Sequence, residues 1–310
     1  MSVTSTGAVP AFSASVRTSV CVGTGTAPAH HGELLQGAFT DAAGQGPVRA
    51  LVTLPCPLYT TRATFTPAPG GAVTVSPPWK TKARRAAELA LRDVPSGGHL
   101  EVSGNVPLGR GFGSSTSDVL AAVRAVRDAV GAPLTAGEAA RLAVCAETAS
   151  DALMFEETTV LFAQREGRPL EDFGNTLPPL RVLGFGSRPE ATGRGVDTLA
   201  LPPPRYDDTE TARFDQLRVL LRKAIRTQDA ALLGTVATES AVLNQRRLPV
   251  PALDRILTVA DTCGALGVQI AHSGDIAGLL FAPETPKPRT TLARALLRRA
   301  GIEELWEWRL

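Results

Sequence analysis

Apolar and polar positions alternate loosely from Ser15 to Cys21, which predicts a strand. Segments 48–54 (VRALVTL), 58–65 (LYTTRATF) and 72–76 (AVTVS) are short, rich in β-branched residues and separated by proline or glycine, and they predict three more strands. A helical pattern covers 81–92, and HLEVSG at 99–104 reads as a strand. After a glycine-rich stretch, Val119, Leu120, Val123, Val126 and Val130 recur at helical spacing. A further helix is expected at 135–149, with Thr135 as its cap and Leu142, Cys145 and Ala146 facing inward. Residues 159–163 and 180–184 read as strands.

LPPPRYDD, at 201–208, is the clearest break in composition. It suggests one unit over 1–200 and a second over 201–310. Beyond the break, helices are expected at 210–226, with Phe214, Leu217, Leu221 and Ile225 inward, and at 228–242 and 251–263. GVQIAHSG and DIAGLLFAP predict two short strands around a Ser-Gly turn. A last helix spans 288–300, and alternating Trp306 and Trp308 suggest a terminal strand. Strands first, then mixed helices and strands, imply an α+β chain in two lobes.

Composition changes this picture little. The chain has 310 residues, 44% of them hydrophobic, which allows a large core. Its 32 basic and 30 acidic residues are dispersed, with no basic stripe, so nucleic acid is not an expected partner. The first ten residues or so are small and polar and predict disorder, and residues 1–20 show neither the basic region nor the long apolar run expected of a signal peptide. No run approaches the ~18 apolar residues of a membrane span. Cys21, Cys56, Cys145 and Cys263 are far apart and read as small buried hydrophobes in a reducing compartment. The expected setting is the cytosol.

The chemistry concentrates in VPLGRGFGSSTSDVLAAVRAV, 106–126. Gly109, Gly111 and Gly113 precede Ser114, Ser115 and Thr116, and a helix starts at once. Such a loop lets backbone N–H groups converge on an anion at the positive end of a helix dipole. The Walker pattern needs a lysine that is absent, and the dinucleotide fingerprint needs its third glycine one place later. A bare GxGxG also suits a plain connection; Pro107, the hydroxyls and the long apolar helix set this one apart. Farther on, Glu147 and Asp151 stand four apart in CAETASDALMF. On one helix face they would repel by about a few tenths of a kcal/mol unless a cation sat between them.

The run P-x-G-x-G-x-G-S-S-T, from Pro107 to Thr116, resembles the phosphate loop of the GHMP kinases, the superfamily of galactokinase, homoserine kinase and mevalonate kinase. Three other stretches agree with its L-threonine kinase branch, which serves cobalamin biosynthesis. APAHHGELLQG (27–37) resembles the N-terminal motif, GRGVDT (193–198) the central segment, and 243–281 the Asn-Gln and His-Ser-Gly motifs. The resemblance implies a ribosomal-S5-like N-terminal domain and a ferredoxin-like C-terminal domain, with ATP and a small alcohol meeting between them.

It also implies site residues. Pro107, Gly109, Gly111, Gly113, Ser114, Ser115 and Thr116 would hold ATP. Ser115 and Glu147 would hold Mg²⁺. Asp151 would be the base or the group that orients the acceptor. His30, His31, Glu33, Asp197, Thr198, His272, Ser273, Gly274 and Asp275 would lie at the acceptor. His30 and His31 replace the usual Ser-Cys, and adjacent histidines make a poor metal site, so they read as pocket-lining or structural. Asp275 stands where a small hydroxyl residue is usual. Two imidazoles and a carboxylate would favour an acceptor with a cationic or donor-rich end.

The expected activity is ATP- and Mg²⁺-dependent phosphorylation of a small alcohol. L-threonine is the first choice and another amino alcohol or specialised metabolite the second. A catalytically silent nucleotide-binding protein is the alternative of another class. The expected partner is a small-molecule alcohol, with neither nucleic acid nor membrane, and a homodimer is left open.

Overall fold

The computed structural model describes residues 21–42, 46–92, 94, 96–187, 205–247, 249–272 and 274–310. The disorder expected over the first ten residues, and nearly all of the strand expected from Ser15, lie outside them. The architecture is α+β, built on a ten-stranded sheet.

β1, Gly23–Thr40, pairs antiparallel with β2, Pro47–Pro69. The two strands expected at 48–54 and 58–65 are therefore one. Pro55 and Pro57 fall at a register shift between the strands, where a missing N–H is tolerated, so they bend β2 without ending it. β1 alternates buried and more exposed positions from Gly23 to Pro28 but loses the alternation beyond, where Ala29 to Leu35 are buried without a break. β3, Val73–Ser76, and β4, Ser96–Gly104, complete one side of the sheet. A short hairpin of β5, Val160–Ala163, and β6, Arg168–Asp172, joins β2 through β5. β7, Arg181–Gly186, precedes the composition break yet pairs with β9, Ile276–Phe281, and β10, Leu305–Arg309, which follow it. β8, Gly267–Ile270, links this half of the sheet to β1.

Three apolar clusters hold the layers together. α1, Thr81–Ala90, α2, Ser114–Ala129, and α3, Ala136–Glu147, pack with β2 and β4. α4, Asp208–Thr227, and α5, Ala230–Leu243, cover the second half of β1 through Phe214, Leu217 and Val236. α6, Leu253–Cys263, and α7, Lys287–Arg299, cover β7, β8 and β9. Thr135 caps α3 as expected, accepting from Glu138 N. The inward face of α3 is Ala139, Ala140, Ala143 and Glu147, whereas Cys145 is exposed. Cys21 is exposed too, so only Cys56 and Cys263 are the buried thiols the sequence suggested. Among the described residues no helix is long and apolar enough to cross a membrane.

The position of α2 depends on how closely it lies on β1. A Cβ on Gly25 would fall on the Ala121 carbonyl and the Ala125 amide. Both are backbone of α2 and neither has a rotamer to move. Gly25→Ala is expected to destabilise the fold by about 3 kcal/mol, at the upper end of overpacking effects. A urea midpoint unchanged from the wild type would show that the helix can shift.

Candidate active site

The glycine loop connects β4 to α2. Gly109, Gly111 and Gly113 have φ of 70°, 98° and 70°, the region that residues with a Cβ rarely adopt, which explains their alternation with larger residues. Gly113 is the N-cap of α2 and no side chain caps the helix. Its first N–H groups and the positive end of its dipole are therefore available to an anion. Pro107 and Ser114 are half-buried at the two ends of the loop. Three main-chain bonds fix the loop: His30 N to Phe112 O at 3.1 Å, Gly32 N to Gly111 O at 3.2 Å, and Asp275 N to Arg110 O at 3.1 Å. Ser117 Oγ donates to Pro28 O at 2.6 Å and ties the start of α2 to β1.

The hydroxyls of the loop meet both expected carboxylates. Ser115 Oγ donates to Glu147 Oε2 at 2.5 Å. Thr116 Oγ1 lies 2.8 Å from Glu147 Oε1 and 3.2 Å from Asp151 Oδ2. The two acids do not share a helix face, because α3 ends at Glu147 and Thr148 turns the chain at φ 72°. Asp151 arrives from the following turn, and its N–H donates to Thr116 Oγ1 at 3.3 Å. Glu147 is 4% exposed. Burial pushes its carboxyl up to about 7, against the bonds from Ser115 and Thr116 and with the charge of Asp151.

The two histidines have different surroundings. His30 is 1% exposed, with Nε2 2.9 Å from Asp151 Oδ2 and Nδ1 3.3 Å from Gly32 O. Burial alone would lower its pKa; the charge and hydrogen bond of Asp151 reverse this and raise it to about 9. For Asp151 burial pulls upward, and the His30 charge and bond hold it below the usual carboxylate range. His31 packs against Phe112, Trp306 and Trp308, with Nδ1 2.8 Å from Gln269 Oε1. Burial takes it down to about 3, so it is neutral.

Glu33 accepts from both the backbone N and Nδ1 of His272, each at 3.0 Å. Asp275 pairs with Arg110 at 3.0 and 3.2 Å, and Arg110 reaches Glu304 as well. The expected negative charge of Asp275 is thus already met by a cation from the loop. Gly274 packs on the Arg110 backbone so closely that a Cβ would overlap it. Ser273, Asp197 and Thr198 lie outside the described residues. Asn244 ties the end of α5 to β1, donating to Gln36 O at 2.8 Å.

Two groups of side chains could hold a cation. Ser115, Thr116 and Glu147 supply oxygen only, the donor chemistry Mg²⁺ takes, and Glu147 has hydroxyls as its hydrogen-bond partners, with Lys82 the cation whose charge reaches it. His30, Glu33 and Asp151 also bring ligand atoms within 4.8 Å of one another, but the His30–Asp151 pair already joins two of the three.

Residues 81–155, which span the loop and both acids, match the model of the GHMP kinases N terminal domain. Residues 221–302, which span the 271–275 turn, match the GHMP kinases C terminal model. Together they cover about half of the chain.

The chain is a GHMP kinase.

It is 28% identical over 263 residues to an L-threonine kinase from Salmonella typhimurium, covering 82% of this chain and 81% of that one. A homoserine kinase from Moorella thermoacetica is 27% identical over 224 residues, 70% of this chain and 74% of its own. The solved homoserine kinase from Cytophaga hutchinsonii superposes with a TM-score of 0.64 at 16% identity, covering 97% and 96% of the two chains. A complex of MDDEF with MVAPP, AMPPCP and magnesium gives 0.62 at 14% identity over 93% and 97%. This GHMP kinase is accordingly an ATP-dependent enzyme that phosphorylates a small-molecule alcohol.

A cavity of about 480 Å³ is lined by neither Glu147 nor Asp151 but includes residues that adjoin His30 and Asp151 in the chain. Ala29, Val52, Cys56, Ala152, Leu153 and Phe155 make its wall predominantly apolar, and Glu156 and Arg309 are its charged members. Ala29 and Ala152 are the chain neighbours of His30 and Asp151. Sequence reasoning missed Arg110 and Gln269. A cation inside the glycine loop was a visible signal for Arg110; Gln269, on a short apolar strand, gave none.

The His30–Asp151 pair has a pH signature. His30 holds its proton more tightly in the folded chain, at about 9 against the ordinary 6.5. The resulting stabilisation is complete below about pH 6.5 and is lost as pH rises through about 9. Melting temperature should drop by about 5 °C between these limits, and His30→Gln should remove most of that drop. An equally steep drop in the variant, read by calorimetry, would exclude the charged pair.

Proposed function

We propose that this kinase transfers the γ-phosphoryl group of ATP to the hydroxyl of a small amino-acid-like alcohol, with L-threonine the first choice. The similarity to L-threonine kinase across most of both chains carries this reading. In it, the loop from Pro107 to Thr116 holds the phosphates, with Pro107 shaping its start and the residues from Gly109 onward supplying backbone N–H groups at the start of α2. Ser115 and Glu147 hold Mg²⁺, which when bound would neutralise charge on the transferring phosphoryl group. Asp151 accepts the hydrogen bond of the acceptor hydroxyl. As the new O–P bond forms and the bond to ADP breaks, the hydroxyl proton passes to Asp151. A carboxylate held this acidic is a weak base, so orienting the hydroxyl is the larger part of its contribution.

The unit 1–200 supplies the loop and the acids, and 201–310 supplies the turn with His272, Ser273, Gly274 and Asp275. His30, His31, Glu33, Asp197 and Thr198 complete the acceptor side. Neutral His31 and paired Asp275 do not favour a cationic acceptor. The apolar cavity favours a second reading instead, an alcohol with a larger apolar body than threonine.

Ser115→Ala should lower kcat tenfold or more and weaken the dependence on Mg²⁺. Wild-type turnover with an unchanged Mg²⁺ titration would remove Ser115 from the site. The acceptor is tested by ADP release from threonine, serine, homoserine, a basic amino alcohol and 3-phenylserine at equal concentration. Threonine should lead; 3-phenylserine leading by tenfold would establish the second reading, and a sugar or mevalonate leading would overturn both.

A further inference from the structure

We propose that His30 is a positioning residue for phosphoryl transfer: it locks Asp151 through one carboxylate oxygen and places a positive charge against the glycine loop. The inference rests on the reading of Asp151 as the group that meets the acceptor.

The geometry is specific to one oxygen. His30 Nε2 lies 2.9 Å from Asp151 Oδ2, and Thr116 Oγ1 lies 3.2 Å from the same atom. Among the described residues no hydrogen bond ends on Oδ1. The side chain of Asp151 is 23% exposed while that of His30 is 1% exposed. One carboxylate oxygen is therefore anchored from the protein side, and the other is left for the acceptor hydroxyl. His30 is anchored in turn, since Nδ1–H donates to Gly32 O at 3.3 Å. With both ring nitrogens acting as donors, the imidazole is the protonated form.

The same ring touches the phosphate loop. A Cβ on Gly113 would overlap Cδ2 and Nε2 of His30, so the ring lies flush with the N-cap of α2. The loop contains no lysine, and its one cation, Arg110, is engaged by Asp275 and Glu304. His30 thus brings a positive charge to the loop end where the helix begins. The charged and titratable groups around it are Asp151 from the turn after α3, Glu33 three residues along β1, and neutral His31 beside it. Burial opposes the imidazolium; Asp151 does most to restore it, with smaller help from the Glu33 charge and the Gly32 carbonyl.

A histidine acting through Asp151 must lose its effect when Asp151 is gone. Four enzymes are compared: wild type, Asp151→Asn, His30→Gln, and the double variant, each checked for folding by circular dichroism. His30→Gln should lower kcat by tenfold or more with a smaller change in the KM of the acceptor. In the Asp151→Asn background the same change should alter kcat less than twofold. The wild-type kcat profile should fall on the alkaline side near pH 9, and His30→Gln should lack that limb. Retained turnover in Asp151→Asn alone would sink the reading of Asp151. A large loss in that variant together with additive effects of the two substitutions would overturn the inference about His30, as would an alkaline limb unchanged in His30→Gln.

Discussion

The glycine loop is held in place by main-chain bonds from two segments that are remote from it in sequence. β1 supplies the N–H groups of His30 and Gly32, and the 271–275 turn supplies that of Asp275. Everything proposed for the site depends on this clamp. A loop of three glycines has high conformational entropy when free, and an anion cradle works only if its N–H groups already converge. Bonds through the backbone fix the loop without filling the space that a phosphate would need. Close packing reinforces them: Gly111 faces Ala271 and Gly274, and Gly113 faces His30.

With the loop fixed, the two carboxylates acquire different characters from their neighbours. Glu147 is buried between two hydroxyls and rises to about 7. Asp151 has the imidazolium of His30 within hydrogen-bond reach and stays ionised. Environments that push two nearby acids apart are a recurrent way to give them separate tasks. Here burial raises Glu147, and His30, which contacts Asp151 and not Glu147, does most to hold Asp151 down. Arg110 performs a related service on the outer side of the loop, joining Asp275 and Glu304 and so connecting the loop to the approach of the last strand.

The chain's own sequence determined a great deal through local pattern. The helix periods of α2 and α4, the Thr135 cap and the glycine loop with its hydroxyls are all legible, because backbone preference and side-chain spacing act over a few residues. The four motif stretches likewise pointed to the right family. β1 was not legible, since its stretch from Ala29 to Leu35 is covered on both faces and has no alternation to show. Nor was the union of 48–54 with 58–65, which depends on a register shift in the partner strand absorbing Pro55 and Pro57. What only the tertiary structure decided is which charged groups meet. His30 and Asp151 are 121 residues apart, Arg110 and Asp275 165, and Glu33 and His272 239. Those meetings are set by sheet order and by the bulge in β1, which no local spacing encodes. From the sequence, Asp275 and the two histidines looked like three features of an altered pocket. In the fold, one is paired with a loop arginine, one is a neutral ring among aromatics, and one holds a carboxylate, because burial and partner decide what a titratable side chain is able to do.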